Sequence, residues 1–142
     1  MFKNNKTRIM VFGTFDVLHK GHLNFFKQAR RLAKNPFLVV SIGRDVNVKK
    51  IKNRGPRFSE KLRLKKIKNL ALVDKVTLGG IKNHLPHILK ERPKIIALGY
   101  DQKEYVVGLK LALNKRGLKV SIKRLKPFKP KTYKSSLVKT VL

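Results

Sequence analysis

Five short, mostly apolar runs recur along the chain, at residues 9–12, 37–42, 75–78, 94–98 and 119–122, and amphipathic stretches separate them. Runs this short and this apolar read as strands buried on both faces. The stretches between them carry helical periodicity. Leu23, Phe26, Ala29 and Ala33 fall on one face of a first helix, and Leu62, Leu64, Ile67 and Leu70 supply the apolar side of a second, with Ser59 as its N-cap. A third helix is expected over residues 83–90, closed by Pro93, and a fourth over 103–115, ended by Gly117. A last short helix is expected over 135–142. Alternation of this kind argues a parallel sheet with helices on both faces, that is, a three-layer α/β fold around five parallel strands. Residues 47–58, rich in Lys, Arg, Gly and Pro, read as a mobile basic loop. The 142 residues suit a single domain, with no internal repeat and no second domain.

Open parallel sheets bind ligands beyond the carboxyl ends of their strands. The glycine-bearing turns at Gly13, Gly43 and Gly99 follow three of the expected strands, so they line that edge. The first opens the segment Gly13-Thr14-Phe15-Asp16-Val17-Leu18-His19-Lys20-Gly21-His22. Gly13 lets the backbone come close to a ligand, and Gly21 sits at a helix start, where free N–H groups and the helix dipole favour an anion. His19 and His22 share the first helical turn, can face the same side, and each offers an N–H donor to a phosphoryl oxygen. Phosphoryl-group chemistry asks mainly for such positioning and for stabilisation of developing negative charge. Taken alone, two histidines at this spacing are more often a plain surface pair. A zinc site is poorly supplied with ligands, Asp16 being the carboxylate at hand.

Composition narrows the function classes. There is no cysteine, which excludes a disulfide framework, a thiolate nucleophile and a cysteine metal site. No apolar run approaches the ~20 residues of a membrane helix. The basic residues 1–6 precede an apolar run too short for a signal peptide, so a cytoplasmic location is expected. Lys and Arg number 36 against seven Asp and Glu, a balance that favours polyanionic partners: nucleotides, nucleic acid or acidic lipid surfaces. The lysines occur throughout, which also fits a general compositional bias. The three Tyr and eight Phe lie mostly in core-like runs, so stacking platforms for bases are not evident.

In its strand–turn–helix setting, the segment from Gly13 to His22 resembles the signature of the HxGH nucleotidyltransferases, the cytidylyltransferase-like superfamily. The resemblance implies a Rossmann-like fold and transfer of a nucleoside monophosphate from a nucleoside triphosphate to a phosphate-bearing acceptor. Pyrophosphate is released, with Mg²⁺ or another divalent metal present. It makes Gly13, Thr14, Phe15, Asp16 and Gly21 nucleotide-binding and His19 and His22 catalytic. Residues 45–63 resemble the loop and helix whose lysines and arginine reach the triphosphate: Lys49, Lys50 and Lys52 are the lysine candidates and Arg63 the arginine. The segment Ile95-Ile96-Ala97-Leu98-Gly99-Tyr100-Asp101-Gln102 resembles the turn that meets base and ribose. There Gly99 and Asp101 are implied in binding, Asp101 being equally readable as a helix N-cap. Tyr133-Lys134-Ser135-Ser136-Leu137-Val138 resembles the last motif, where Ser135 and Ser136 hold the triphosphate.

Within the superfamily, these motifs look most like archaeal-type FAD synthases, which adenylylate FMN with ATP. Glycerol-3-phosphate cytidylyltransferase, which uses CTP, shares the core. It ends in a different motif from Lys131-Thr132-Tyr133-Lys134-Ser135-Ser136. Relatives are commonly dimers, so a homodimer is compatible. The alternative of another class is a basic nucleic-acid-binding protein on the same fold.

Overall fold

Strand β1 (Thr7–Gly13) runs through the middle of a five-stranded sheet, paired with β2 (Pro36–Ile42) on one side and β4 (Ile95–Leu98) on the other. Outside these lie β3 (Lys75–Leu78) and β5 (Ser121–Arg124), giving the order β3-β2-β1-β4-β5 with every pair parallel. The helices are α1 (Lys20–Arg30), α2 (Asp45–Lys52), α3 (Glu60–Lys68), α4 (His84–Glu91) and α5 (Leu109–Lys115). This computed structural model describes residues 5–52, 55–80, 84–100, 102 and 108–127. The chain builds outward from β1 to β3, then returns to add β4 and β5 on the other side. The strand order therefore reverses between β1 and β4, and a crevice opens there at the carboxyl edge.

The period of two along each strand divides the interior into two cores. Ile9, Val11, Leu38, Val40, Ile42 and Ala97 face one side, where Phe26 and Ala29 of α1 and Ile67 of α3 cover them. Met10, Phe12, Val39, Ile96 and Leu98 face the other, under Ile88 of α4 and Leu113 of α5. These side chains are fully buried or nearly so, each of the larger ones contributing about 1.5–3 kcal/mol of transfer free energy and the two alanines less. The three-layer α/β fold with five parallel strands is the one the alternation predicts.

Several boundaries differ from the sequence expectation. The first half of the expected basic loop, residues 47–52, is helix: α2 occupies Asp45–Lys52. The periodicity missed it because only eight residues are helical and four of them are Lys or Asn. The last strand lies at Ser121–Arg124, two residues later than expected, because a Schellman motif closes α5 first. Gly117 sits at φ 85° and donates to the Asn114 carbonyl, while Leu118 N–H reaches the Leu113 carbonyl at 3.0 Å. Gly117 ends the helix as predicted. Of the fourth expected helix, residues 109–115 are helical, and 103–107 lie outside the described residues, as does the expected helix at 135–142.

Candidate active site

The turn after β1 is built around a phenylalanine in a left-handed conformation. Phe15 has φ 52°, a strained value for a bulky residue, worth about 1–3 kcal/mol. Its ring folds back over Gly13, where a Cβ atom would lie 2.5 Å from the Phe15 Cζ. The same ring meets the imidazole of His22 edge-on, at 5.3 Å and 79°. Glycine at position 13 therefore makes room for the aromatic support of a histidine.

The two histidines cap their own helix. Gly21 N–H donates to His19 Nδ1 at 3.1 Å, and His19 N–H donates to His22 Nδ1 at 3.3 Å. This is a capping box in which imidazoles take the places usually held by Ser and Glu. The rings stack with centroids 3.8 Å apart. Because each Nδ1 accepts, the proton of each neutral ring sits on Nε2, and both histidines present an N–H on the side away from the cap. Burial pushes the His19 pKa below its ordinary value, which favours that neutral form.

Arg63 is completely buried. Its Nε donates to the Phe58 carbonyl at 3.0 Å, Nη1 to the Thr14 carbonyl at 2.8 Å, and Nη2 to Asp45 Oδ1 at 2.6 Å. It joins three segments from inside, one of them the turn that carries Phe15. Asp45 and Glu60 complete the joint by capping one another's helices: Asp45 N–H donates to Glu60 Oε1 at 2.8 Å, and Glu60 N–H to Asp45 Oδ2 at 3.1 Å. Asp16 accepts from the backbone N–H groups of Arg57 and Phe58, at 2.6 and 2.8 Å. It therefore anchors the segment leading into α3. Ser59 is the N-cap of α3, as predicted.

At the crevice, Gln102 does what strand pairing no longer does. Its Nε2 donates to the Phe12 carbonyl at 2.7 Å, and its Oε1 accepts from Gly99 N–H at 2.8 Å. From β5, Arg124 Nη1 donates to the carbonyls of Gly99 and Gln102, at 2.7 and 2.6 Å. Tyr100 stands exposed in the same turn. Thus Gly13, Thr14, Phe15, Asp16, His19, Gly21 and His22 gather at one sheet edge with Gly99. Lys49 lies on α2, as do the backbones of Lys50 and Lys52; the side chains of Lys50 and Lys52, with Asp101, Ser135 and Ser136, are outside the described residues.

Among the described residues no three His, Asp or Glu side chains converge as a cation site. The carboxylates nearest the turn are already bonded, Asp16 to two backbone N–H groups and Asp45 to Arg63 and Glu60. The described residues do not fit a metal cage built by the protein. No helix among them is long and apolar enough to cross a membrane.

The cytidylyltransferase-like family model matches residues 10–141. The chain belongs to that family. A protein called FAD synthase from Korarchaeum cryptofilum is 44% identical over 136 residues, covering 95% of this chain and 91% of its own. A protein of the same name from Methanosarcina barkeri is 43% identical over 119 residues, covering 84% and 83%. Among solved structures, the crystal structure of the lipopolysaccharide core biosynthesis protein from Thermoplasma volcanium is similar. It has a TM-score of 0.79 and 35% identity, over 86% of this chain and 98% of that one.

For a cytidylyltransferase-like protein, the site contains residues that sequence reasoning did not single out. Gln102 and Arg124 hold the crevice, and Asp45 and Glu60 hold the α2–α3 junction. The acids left a faint signal. They are two of only seven in the chain, and each opens a helix. Arg124 left none, since it is one basic residue among 36.

Proposed function

We propose that this chain transfers AMP from ATP to the phosphate of FMN, forming FAD and releasing pyrophosphate. The observation that carries the reading is the reciprocal histidine cap, with two Nε2–H donors at a helix start beside the switch crevice. The similarity to FAD synthases over most of the chain supports FMN as acceptor. An FMN phosphate oxygen attacks the α-phosphorus, the bond from that phosphorus to the α,β-bridging oxygen breaks, and pyrophosphate leaves in line. His19 and His22 donate to the α-phosphoryl oxygens as charge builds there. Lys50 and Lys52 neutralise the β- and γ-phosphates, and Ser135 and Ser136 hold the same group. Gly99 and Asp101 serve the base and ribose. Arg63 acts as a positioning residue, keeping the Thr14–Phe15 turn and the start of α2 in register. The reaction class uses a divalent metal, Mg²⁺ or another; bound, it would offset triphosphate charge, and the triphosphate's own oxygens would have to ligate it, since the described residues form no cage.

The test is a two-by-two assay of ATP and CTP against FMN and glycerol 3-phosphate, with Mg²⁺ present and pyrophosphate release measured. Turnover confined to ATP with FMN is the expected result. Turnover of CTP with glycerol 3-phosphate would reassign the substrates and keep the reaction class.

A further inference from the structure

Strands β1 and β4 pair at Ile9–Ile95 and Met10–Ile96, and beyond these residues they part. Strand β5 stays beside β4 to its end, with Arg124 opposite Leu98. The turn from Gly99 to Gln102 therefore opens toward β1 and is backed by β5. Its own backbone supplies one closing bond, from Gln102 N–H to the Gly99 carbonyl at 3.2 Å. Arg124 Nη1 reaches both ends of the turn at once, the Gly99 carbonyl at 2.7 Å and the Gln102 carbonyl at 2.6 Å. One charged donor shared by two carbonyls fixes the distance between them, and such bonds are roughly twice as strong as neutral ones.

Arg124 is itself held by the residues that follow it. Leu125 N–H donates to the Leu98 carbonyl at 2.8 Å, and its side chain is buried in the core that α1 covers. Lys126 is bonded through both of its backbone groups to one side chain of α1. Its N–H donates to Gln28 Oε1 at 2.9 Å, and its carbonyl accepts from Gln28 Nε2 at 2.8 Å. Asn24 Oδ1 accepts from the same Nε2 at 2.7 Å, which fixes the amide in that orientation. Gln28 thus takes the place of a strand partner just past the end of β5. Helix α1 is also the helix that His19 caps. Residues 124–126 therefore form a strap between the histidine helix and the turn at the crevice.

We propose that Arg124 is a positioning residue for the nucleotide. It sets the shape of the Gly99–Gln102 turn through a strap anchored on Gln28, and so sets nucleotide affinity without touching the reacting atoms. The proposal rests on the reading of that turn as the site for base and ribose. Position matters here more than charge. The neighbouring Lys123 carries the same charge and is exposed, with no hydrogen bond to the described residues of the turn.

The test first titrates the full wild-type chain with ATP and with CTP by calorimetry, and follows the tighter-binding nucleotide in the variants. Arg124→Leu should weaken that binding about tenfold, the equivalent of one lost hydrogen bond to a charged donor. In the FMN assay KM for the nucleotide should rise with it and kcat stay within about twofold, because binding common to ground and transition states is lost. Arg124→Lys keeps a cationic donor for the two carbonyls and should return affinity to within about threefold of wild type. Lys123→Gln removes an exposed charge beside it and should change affinity by less than about twofold. Gln28→Leu should weaken binding, and Arg124→Leu with Gln28→Leu should lose less than the sum, because both act through residues 124–126. Unchanged affinity in Arg124→Leu would overturn the proposal, as would a fall in kcat with KM unchanged. Equal losses in Arg124→Leu and Lys123→Gln would overturn it too, leaving charge as the cause, and additive losses with Gln28→Leu would remove the anchor. A wild-type chain that binds ATP yet adenylylates no FMN would sink the proposed function alone, and the binding titrations would still judge Arg124.

Discussion

The Arg63 guanidinium donates to the carbonyl of Thr14 at 2.8 Å, one peptide before the left-handed Phe15. A strained backbone persists only where its surroundings over-determine it, and here a buried cation supplies that constraint. Replacing Arg63 by Met should lower unfolding free energy by about 3 kcal/mol, because Asp45 and two carbonyls lose a charged donor. Urea denaturation measures this. Unchanged stability combined with a raised KM for ATP would instead make Arg63 a direct phosphate ligand.

Gly13→Ala places a methyl 2.5 Å from the Phe15 ring. The ring must move, so stability should fall by roughly 1–3 kcal/mol and turnover with it. Phe15→Leu in the same chain should recover part of the stability, since the clash is between these two residues. Additive losses in that double-mutant cycle would refute the coupling.

The dual role of His19 separates by substitution. His19→Asn keeps an acceptor for the helix N-terminus but removes the imidazole N–H, so kcat should fall by about 10²-fold with little loss of stability. His19→Ala should lose the same rate and about 1 kcal/mol besides. His22→Ala should likewise lower kcat by about 10²-fold. Wild-type turnover in both His19 variants and in His22→Ala would remove the pair from the mechanism.

Acid should act through the same cap. The His19 pKa is lowered by burial, so the unfolded chain takes up this proton before the folded one does as pH falls. The stability tied to neutral His19 is therefore full above about 6.5 and is lost as pH drops through the lower folded value. Protonating Nδ1 also ends its role as acceptor for Gly21 N–H. Thermal melts should shift downward below that pH, and less so in His19→Asn. Identical pH profiles for the two proteins would contradict this account.

Gln102→Leu leaves the Phe12 carbonyl and Gly99 N–H without their side-chain partner at the crevice. The nucleotide KM should rise more than kcat falls, because the turn is displaced while the histidines are untouched. A change in kcat alone would count against a role in binding.

The sheet, its two cores and the position of the histidine turn were legible because they depend on local periodicity and on punctuation by Gly13, Gly43 and Gly117. Those signals span a strand or a helical turn, and each residue carries its own part of the pattern. Helix α2 was missed because its eight residues offer too little apolar period. The sequence by itself determined the layer order, the parallel strands and the family, read from the segment Gly13 to His22. Only the tertiary structure decided that Arg63 lies inside and not at the surface, that Asp45 and Glu60 cap each other across 15 positions, and that Gln102 bridges two diverging strands. Each is a hydrogen bond between groups far apart in the chain. A side chain's charge and length do not reveal which distant carbonyl it will meet once the cores have closed.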